Sequence, residues 1–158
     1  NTTKGGFRSL GVVELQLDES TLEITKTMST REGVQQIKNV DAKAVNQGET
    51  LFTSAGISYD SEGCLVKAVK TIEKGAWLYI KGVDFGESAE VFAAVVKGSG
   101  RAEVYLDAMG SAMTAAIEFD NADYQGVYNQ LTQPVSGVHD VYIMFNDIDI
   151  CLDSWQFL

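Results

Sequence analysis

The stretch Val138–Phe145, which reads VHDVYIMF, decides the fold class of this chain. Its residues Val141, Ile143 and Phe145 are apolar and recur at every second position, a period that is typical of a β-strand. No segment of the chain keeps apolar residues at helical spacing for long, whereas strand-like segments bounded by turn residues recur along it. These segments are Leu10–Leu17, Leu22–Thr27, Trp77–Val83, Ala89–Val96, Ala102–Leu106, Ala112–Phe119 and Ile150–Phe157. The sequence therefore predicts an all-β fold, a jelly-roll-like β-sandwich with an extra N-terminal hairpin.

Turn residues and a shift in composition organise the chain. The segment 97–100 (KGSG) predicts a hairpin turn between two strands, since no helix follows it as a phosphate-binding loop would need. The segment 28–38 is polar and lacks strand alternation, which indicates a linker. We therefore expect an N-terminal hairpin and linker at 1–38 and a β-sandwich at 39–158. Because the first residue is Asn1 rather than Met, we expect a processed form, an excised domain or an expressed fragment.

Composition excludes several classes of partner. The 158 residues carry 12 Lys and Arg against 22 Asp and Glu, a formal net charge of −10. They contain no cluster of basic residues, which binding of nucleic acid or of an anionic membrane surface would require. No apolar run approaches the roughly 18 residues of a membrane-spanning helix. We therefore expect no nucleic acid and no membrane among the partners of this chain.

Signs of catalysis are few. The single histidine, His139, lies within a predicted strand, where a structural role is more common than that of a catalytic base. There is no Gly-x-Ser-x-Gly nucleophile elbow, and one thin sandwich offers little depth for a pair of catalytic carboxylates. We therefore expect that this chain is not an enzyme by itself.

Two cysteines leave two alternatives open. Neither Cys64 nor Cys151 has a second cysteine nearby in the sequence, which argues against the spacing of a metal site. They pair with each other only if folding brings them together, and otherwise they are two separate, partly buried thiols. Separate thiols are the favoured interpretation.

Aromatic side chains suggest a binding function. The apolar C–H face of a sugar ring stacks on an aromatic ring, while amide and carboxylate groups bind the hydroxyls. Trp77, Tyr124, Tyr128 and Trp155 are candidates for such stacking. Packing in the core is the alternative for each of them.

Three segments resemble carbohydrate-binding module family 6, in the same order and at the same spacing. The segment 72–86 (IEKGAWLYIKGVDFG) is similar to the family's Ile-x-Asn-Gly-Asp-Trp…Val-Asp-Phe-Gly. The segment 136–145 (SGVHDVYIMF) resembles Ser-Gly-x-His-Asp-Leu-Tyr-Leu-x-Phe, and 152–157 (LDSWQF) resembles Leu-Asp-x-Trp-x-Phe. The resemblance covers 39–158 and implies a β-sandwich that binds a polysaccharide or oligosaccharide.

The N-terminal part carries a second resemblance. The segment 7–15 (FRSLGVVEL), followed by 32–34 (EGV), resembles the end of a glycoside hydrolase family 43 five-bladed propeller. This resemblance implies an upstream catalytic propeller as partner, with its catalytic acids outside this chain. It further implies an arabinofuranosidase- or xylosidase-like enzyme with an extracellular, secreted location.

The family resemblance implies two sugar sites. At the edge of the sandwich, the family's first stacking aromatic matches Tyr124, the second falls at Thr71, and an asparagine falls at Cys151. Neither a threonine nor a cysteine replaces the group that the family uses there. On the concave face of the sheet, the family's tryptophan and glutamate match Trp77 and Glu103, and both are retained.

The family also carries a structural calcium ion. Its ligands correspond to Asp41, Lys43 and Asp153, and a lysine cannot bind calcium. We expect the ammonium group of Lys43 to take the place of the ion by bridging Asp41 and Asp153.

Two functions follow from these expectations. The first is a non-catalytic module that targets an attached hydrolase to xylan or arabinoxylan by aromatic stacking. The alternative is a degenerate module that packs on the catalytic propeller and supports it without binding sugar. An independent enzyme is the least favoured interpretation.

Overall fold

The structure is a computed structural model that describes residues 17–18, 20–21, 23–24, 38–59, 63–65 and 68–158. The chain divides into two units, Asn1–Lys38 and Asn39–Leu158.

In the first unit, β1 (Leu17–Asp18) and β2 (Glu23–Ile24) pair antiparallel. This pair lies within the predicted N-terminal hairpin. Most residues of the predicted strands at 10–17 and 22–27, and most of the predicted linker at 28–38, lie outside the described residues.

The described residues of the second unit form ten strands. They are β3 (Val40–Asp41), β4 (Asn46–Gln47), β5 (Thr53–Ala55), β6 (Ile57–Ser58), β7 (Val69–Thr71), β8 (Trp77–Asp84), β9 (Ala89–Leu106), β10 (Met113–Val135), β11 (Val138–Phe145) and β12 (Cys151–Phe157). Among the described residues there is no helix with the length and apolar character needed to cross a membrane.

One curled sheet folds into the two layers of a sandwich. In the first layer, β8 pairs with β3 and β5 along one edge and with β11 along the other, and β11 pairs with the C-terminal half of β9. In the second layer, the N-terminal half of β9 pairs with β12, which also pairs with β4 and β7, and β6 follows β7. Since β10 pairs with β9 over most of its length, both long strands belong to both layers. The predicted β-sandwich is confirmed.

The hydrophobic core lies between the layers. Side chains of alternate strand residues point into it, because successive residues of a strand face opposite sides of the sheet. The largest fully buried side chains are Val69, Leu78, Ile80, Val83, Phe85, Phe92, Ile143, Phe145, Ile150, Leu152, Trp155 and Phe157. Trp155 therefore packs in the core, which was the alternative to a sugar-stacking role for this residue.

The predicted hairpin turn at 97–100 is wrong. β9 runs without interruption from Ala89 to Leu106, and β10 pairs with it on both sides of this segment. The segment is the point where β9 leaves the second layer and enters the first.

Close contact with another segment explains the two glycines at this point. A Cβ atom on Gly98 would lie 2.9 Å from the carbonyl oxygen of Asp149, and one on Gly100 would lie 2.9 Å from Oδ1 of Asn146. Gly98 also has φ +115°, which side chains rarely adopt. The glycines therefore allow the segment 146–150 to pack against the crossing strand.

β10 is longer than the sequence predicts. The predicted strand 112–119 corresponds only to its first part, and the strand continues to Val135. Most side chains in the added part are exposed, with Leu131 and Val135 as the buried exceptions. This second part of β10 has mostly exposed side chains and shifts in register, so its sequence lacks the apolar alternation that would have predicted a strand.

We expect Gly98→Ala to destabilise the protein by about 2 kcal/mol or more, because the methyl group would meet backbone and the positive φ would be strained. Gly126→Ala is the matched control in β10, since a Cβ there has no atom within 4 Å. Urea denaturation of the two variants measures the difference. Equal stability of Gly98→Ala and the unchanged protein would contradict the packing argument.

Candidate functional site

Trp77, Tyr79 and Lys81 lie on the solvent side of β8. The residues between them, Leu78 and Ile80, are buried in the core, so the alternation of the strand fixes which side chains face outward. Neighbouring strands of the first layer add side chains to the same side. We call this surface the Trp77 face and define it by Trp77, Tyr79, Lys81, Glu103, Tyr105 and Tyr142.

Strand pairing arranges this face in two rows. In one row, Tyr142 on β11 lies opposite Tyr79 on β8 and opposite Tyr105 on β9. In the other row, Met144 on β11 lies opposite both Trp77 and Glu103. The backbones of Trp77 and Glu103 are therefore two strand spacings, about 10 Å, apart.

Trp77 leaves aromatic surface open to a ligand. Its side chain is half-buried, and within the described residues it has neither a hydrogen-bond partner nor a second ring against it. On β5, the residue opposite Trp77 is Ala55, whose methyl group covers little of the indole. A sugar ring could therefore stack on this side chain without displacing another.

Glu103 is held in place by two neighbours. The guanidinium Nε of Arg101 lies 3.0 Å from its Oε1, and the Tyr105 hydroxyl donates to its Oε2 at 2.6 Å. The hydrogen bond to Glu103 raises the pKa of Tyr105. Arg101 also contacts Oε1 of Glu118 at 3.2 Å. The carboxylate is thus oriented, and its remaining lone pairs can accept hydrogen bonds from sugar hydroxyls.

Aromatic packing stiffens the middle of the face. The rings of Tyr79 and Tyr142 stack with centroids 4.7 Å apart at 18°, and Phe52 meets Tyr79 edge-on at 5.7 Å. The hydroxyl of Tyr79 donates to Oδ2 of Asp140 at 2.7 Å, and Oδ1 of Asp140 accepts from the backbone N of Gly82 at 2.9 Å. The hydrogen bond to Asp140 raises the pKa of Tyr79 to about 12.

We expect Asp140→Asn to lower the pKa of Tyr79 toward the ordinary value of about 10, because a neutral amide no longer favours the protonated phenol. A raised pKa in the folded state stabilises the fold fully below about pH 10, and this contribution is lost as the pH rises toward 12. An ultraviolet absorbance titration follows the ionisation, and Tyr79→Phe identifies the transition. An unchanged transition in Asp140→Asn would contradict the assignment.

The edge site that the family resemblance implies is altered. The hydroxyl of half-buried Tyr124 accepts a hydrogen bond from the backbone N of Leu65 at 2.8 Å, and Nζ of Lys97 lies 6.0 Å from the ring centroid. Thr71 is only 2% exposed; its hydroxyl donates to the carbonyl of Asp147 and accepts from the backbone N of Ile150. Thr71 therefore bonds within the sandwich, which argues against the predicted sugar contact at this residue.

Cys151 is bonded to Cys64, so the favoured interpretation of two separate thiols is wrong. The two Cα atoms lie 5.9 Å apart across a sequence separation of 87 residues. Cys151 begins β12 and is 4% exposed, while Cys64 lies in the segment before β7. The sulfur of Cys151 therefore closes a long loop, which argues against the predicted sugar contact at this residue.

We expect the double variant Cys64→Ser, Cys151→Ser to lose about 4 kcal/mol of stability, because a long closed loop strongly restricts the unfolded chain. Urea denaturation under oxidising conditions measures the loss. A reductant should lower the stability of the unchanged protein by the same amount and leave the double variant unaffected. If a reductant also lowers the stability of the double variant, the loss of stability in the unchanged protein would not be due to the disulfide.

The residues at the family's calcium position do not fit that ion. Oδ1 of Asp41 accepts from the backbone N of Lys43 at 2.8 Å, and Oδ2 of Asp153 accepts from the Ser154 hydroxyl at 3.1 Å. No group of three or more His, Cys, Asp or Glu side chains that could hold a metal occurs in the described part of the chain. Nor does Lys43 form an ion pair with Asp41 or Asp153 there, so the expected lysine bridge is wrong.

His139 has a structural setting. Its Nδ1 lies 2.9 Å from Oδ2 of Asp107, and its Nε2 lies 3.1 Å from the carbonyl oxygen of Ser136. The hydrogen bond from His139 lowers the pKa of Asp107. These contacts tie β11 to the end of β9.

Sequence reasoning placed Trp77 and Glu103 but missed the tyrosines beside them. Tyr79 and Tyr105 are two residues from Trp77 and Glu103 respectively, so strand alternation puts each on the same side as its neighbour. Tyr142 needs the pairing register, which the sequence does not give.

An open aromatic ring and an oriented carboxylate on the same solvent face of a β-sandwich define a binding module suited to carbohydrates. A family model described as "Carbohydrate binding module (family 6)" matches residues 47–158. The chain belongs to this family of non-catalytic binding modules. No curated protein sequence matches it.

Solved structures with the same fold include modules and an enzyme. A family 6 module from Clostridium cellulolyticum in complex with xylose is 25% identical, with a TM-score of 0.65 over 75% of this chain and 98% of that one. A module from Clostridium stercorarium in complex with cellobiose is 21% identical, with a TM-score of 0.66 over 75% and 95%.

A glycoside hydrolase family 43 arabinoxylan arabinofuranohydrolase from Bacillus subtilis, in complex with cellotetraose, is 22% identical with a TM-score of 0.66. That match covers 92% of this chain and 33% of the enzyme.

Proposed function

We propose that this module binds neutral plant-wall polysaccharide of the xylan or arabinoxylan class through the Trp77 face. The observation that carries the proposal is that Trp77 on β8, with open aromatic surface, and Glu103 on β9, with an oriented carboxylate, lie on the same side of the first layer, separated only by β11. Trp77 stacks on the C–H face of a sugar ring, and Glu103 accepts hydrogen bonds from its hydroxyls.

The related structures support a neutral polysaccharide as the ligand class, and their ligands include both xylose and glucose units. One related module is in complex with xylose and another with cellobiose. The Bacillus subtilis enzyme is an arabinoxylan arabinofuranohydrolase in complex with cellotetraose. Xylan and cellulose both consist of neutral pyranose rings, for which the Trp77 face is suited.

We place the module in a secreted glycoside hydrolase with an upstream catalytic propeller. The match to the family 43 enzyme covers 92% of this chain, whereas residues 39–158 amount to 120 of 158 residues, so the match is longer than the module. Such tethering makes a weak sugar site useful, because it raises the local concentration of the enzyme at its substrate.

We expect Trp77→Ala to weaken binding of xylotetraose by about tenfold or more, because the stacking surface is lost. Trp77→Phe should retain part of the affinity. Isothermal titration calorimetry with xylotetraose, cellotetraose and an arabinoxylan oligosaccharide measures affinity and preference.

Tyr59→Ala serves as the control, since Tyr59 is an exposed aromatic side chain outside the Trp77 face. Equal binding by Trp77→Ala and the unchanged protein would refute the proposed site. No binding to any xylan, arabinan or β-glucan would refute the function.

The second candidate is the degenerate module that supports a catalytic propeller. The engagement of Thr71, Cys151 and Tyr124 within the sandwich favours it, because these positions no longer offer the family's edge site. Under this alternative, the chain ignores all sugars, and its deletion from the full-length enzyme lowers the melting temperature of the catalytic domain.

A further inference from the structure

The solvent side of the second layer carries a groove of about 240 Å³, separate from the Trp77 face. Ala93 on β9 lies opposite Tyr128 on β10 and opposite Gln156 on β12. The small Ala93 is therefore the floor of a trough with longer side chains on both sides.

A second row of residues extends this trough along β9. Val95 lies opposite Gly126 on β10 and opposite Ser154 on β12, and all three line the groove. Since β10 and β12 flank β9, the two walls rise from backbones about 10 Å apart. Such a width suits a single chain of sugar rings and is too narrow for a helix of about 10–12 Å diameter.

The described residues that line the groove are uncharged in a strongly acidic protein. None of them is Asp, Glu, Lys or Arg, although the whole chain carries a formal net charge of −10. Small aliphatic side chains form half of this lining, with Val45 68% exposed at its margin. These properties favour a neutral ligand that has an apolar face.

The polar groups of the groove are free to bind hydroxyls. Tyr128 is 78% exposed, and neither its hydroxyl nor the amide of Gln156 has a hydrogen-bond partner in the described part of the chain. The Ser154 hydroxyl donates to Asp153 and can still accept. One aromatic ring, one amide and one hydroxyl thus surround an apolar floor.

We propose that this groove is a second carbohydrate site, which takes a neutral pyranose oligosaccharide between Tyr128 and Gln156. Tyr128 stacks on the C–H face of a ring, and Gln156 donates to and accepts from its hydroxyls. The site is independent of the Trp77 face, because the two surfaces belong to opposite layers. A module with both sites binds two stretches of polysaccharide and gains avidity on an insoluble substrate.

Calorimetric titration of the whole chain with xylotetraose tests the proposal. We expect two oligosaccharides per chain for the unchanged protein and one for Tyr128→Ala. Gly126→Leu should also bind one, because its side chain would fill the groove while a Cβ at Gly126 meets no atom within 4 Å. The double variant Trp77→Ala, Tyr128→Ala should bind none.

Gln130→Ala is the matched control, since Gln130 is an exposed residue on the same strand and side, beyond the lining of the groove. Unchanged stoichiometry and affinity in both Tyr128→Ala and Gly126→Leu would overturn the proposal. So would a dimer in analytical ultracentrifugation that Tyr128→Ala dissociates, because a second copy would then occupy the groove. If Tyr128→Ala loses binding while Trp77→Ala binds as the unchanged protein does, the result would support the groove and refute the Trp77 site.

Discussion

The structure depends on the passage of β9 from one layer to the other. At this crossing the backbone N of Arg101 donates to Oδ1 of Asn146 at 2.7 Å, and the backbone N of Asn146 donates to the carbonyl of Arg101 at 3.1 Å. The glycines at 98 and 100 let the segment 146–150 reach this position. The C-terminal half of β9 then supplies Glu103 to one face, and the N-terminal half supplies the floor of the groove on the other. A single strand thereby positions both surfaces. A distortion at the crossing would therefore displace residues of the Trp77 face and of the groove.

Local patterns predicted the strands that have one buried side. The segments 77–83 and 138–145 alternate apolar and polar residues, and they form most of β8 and all of β11. The segment 97–100 misled the prediction because Lys-Gly-Ser-Gly is also a common turn sequence. What makes it a crossing is contact with 146–150, about 50 residues later, and no local pattern contains that information. The second half of β10 lacked a signal because its side chains are mostly exposed.

The parts of the site that could be predicted are those that depend on the sequence of a single strand. The resemblance supplied Trp77 and Glu103, and strand alternation was sufficient to add Tyr79 and Tyr105. Their arrangement as rows requires the register of three strands, which depends on packing throughout the core. The disulfide was not predictable for a related reason, since Cys64 and Cys151 meet only once β7 and β12 have paired.

The edge of the sandwich differs from its two open surfaces in how far its polar groups are already hydrogen-bonded. At the edge, the hydroxyls of Thr71 and Tyr124 already bond to backbone groups, and the sulfur of Cys151 is consumed in a disulfide. A sugar there would have to displace interactions that stabilise the fold, and leaving buried polar groups unpaired costs about 1–3 kcal/mol each. The side chains of Trp77, which is half-buried, and Tyr128, which is 78% exposed, make no hydrogen bond in the described part of the chain. A sugar at these rings would break none of the interactions at the edge, so the open faces of the layers are the places where this chain can gain affinity without loss of stability.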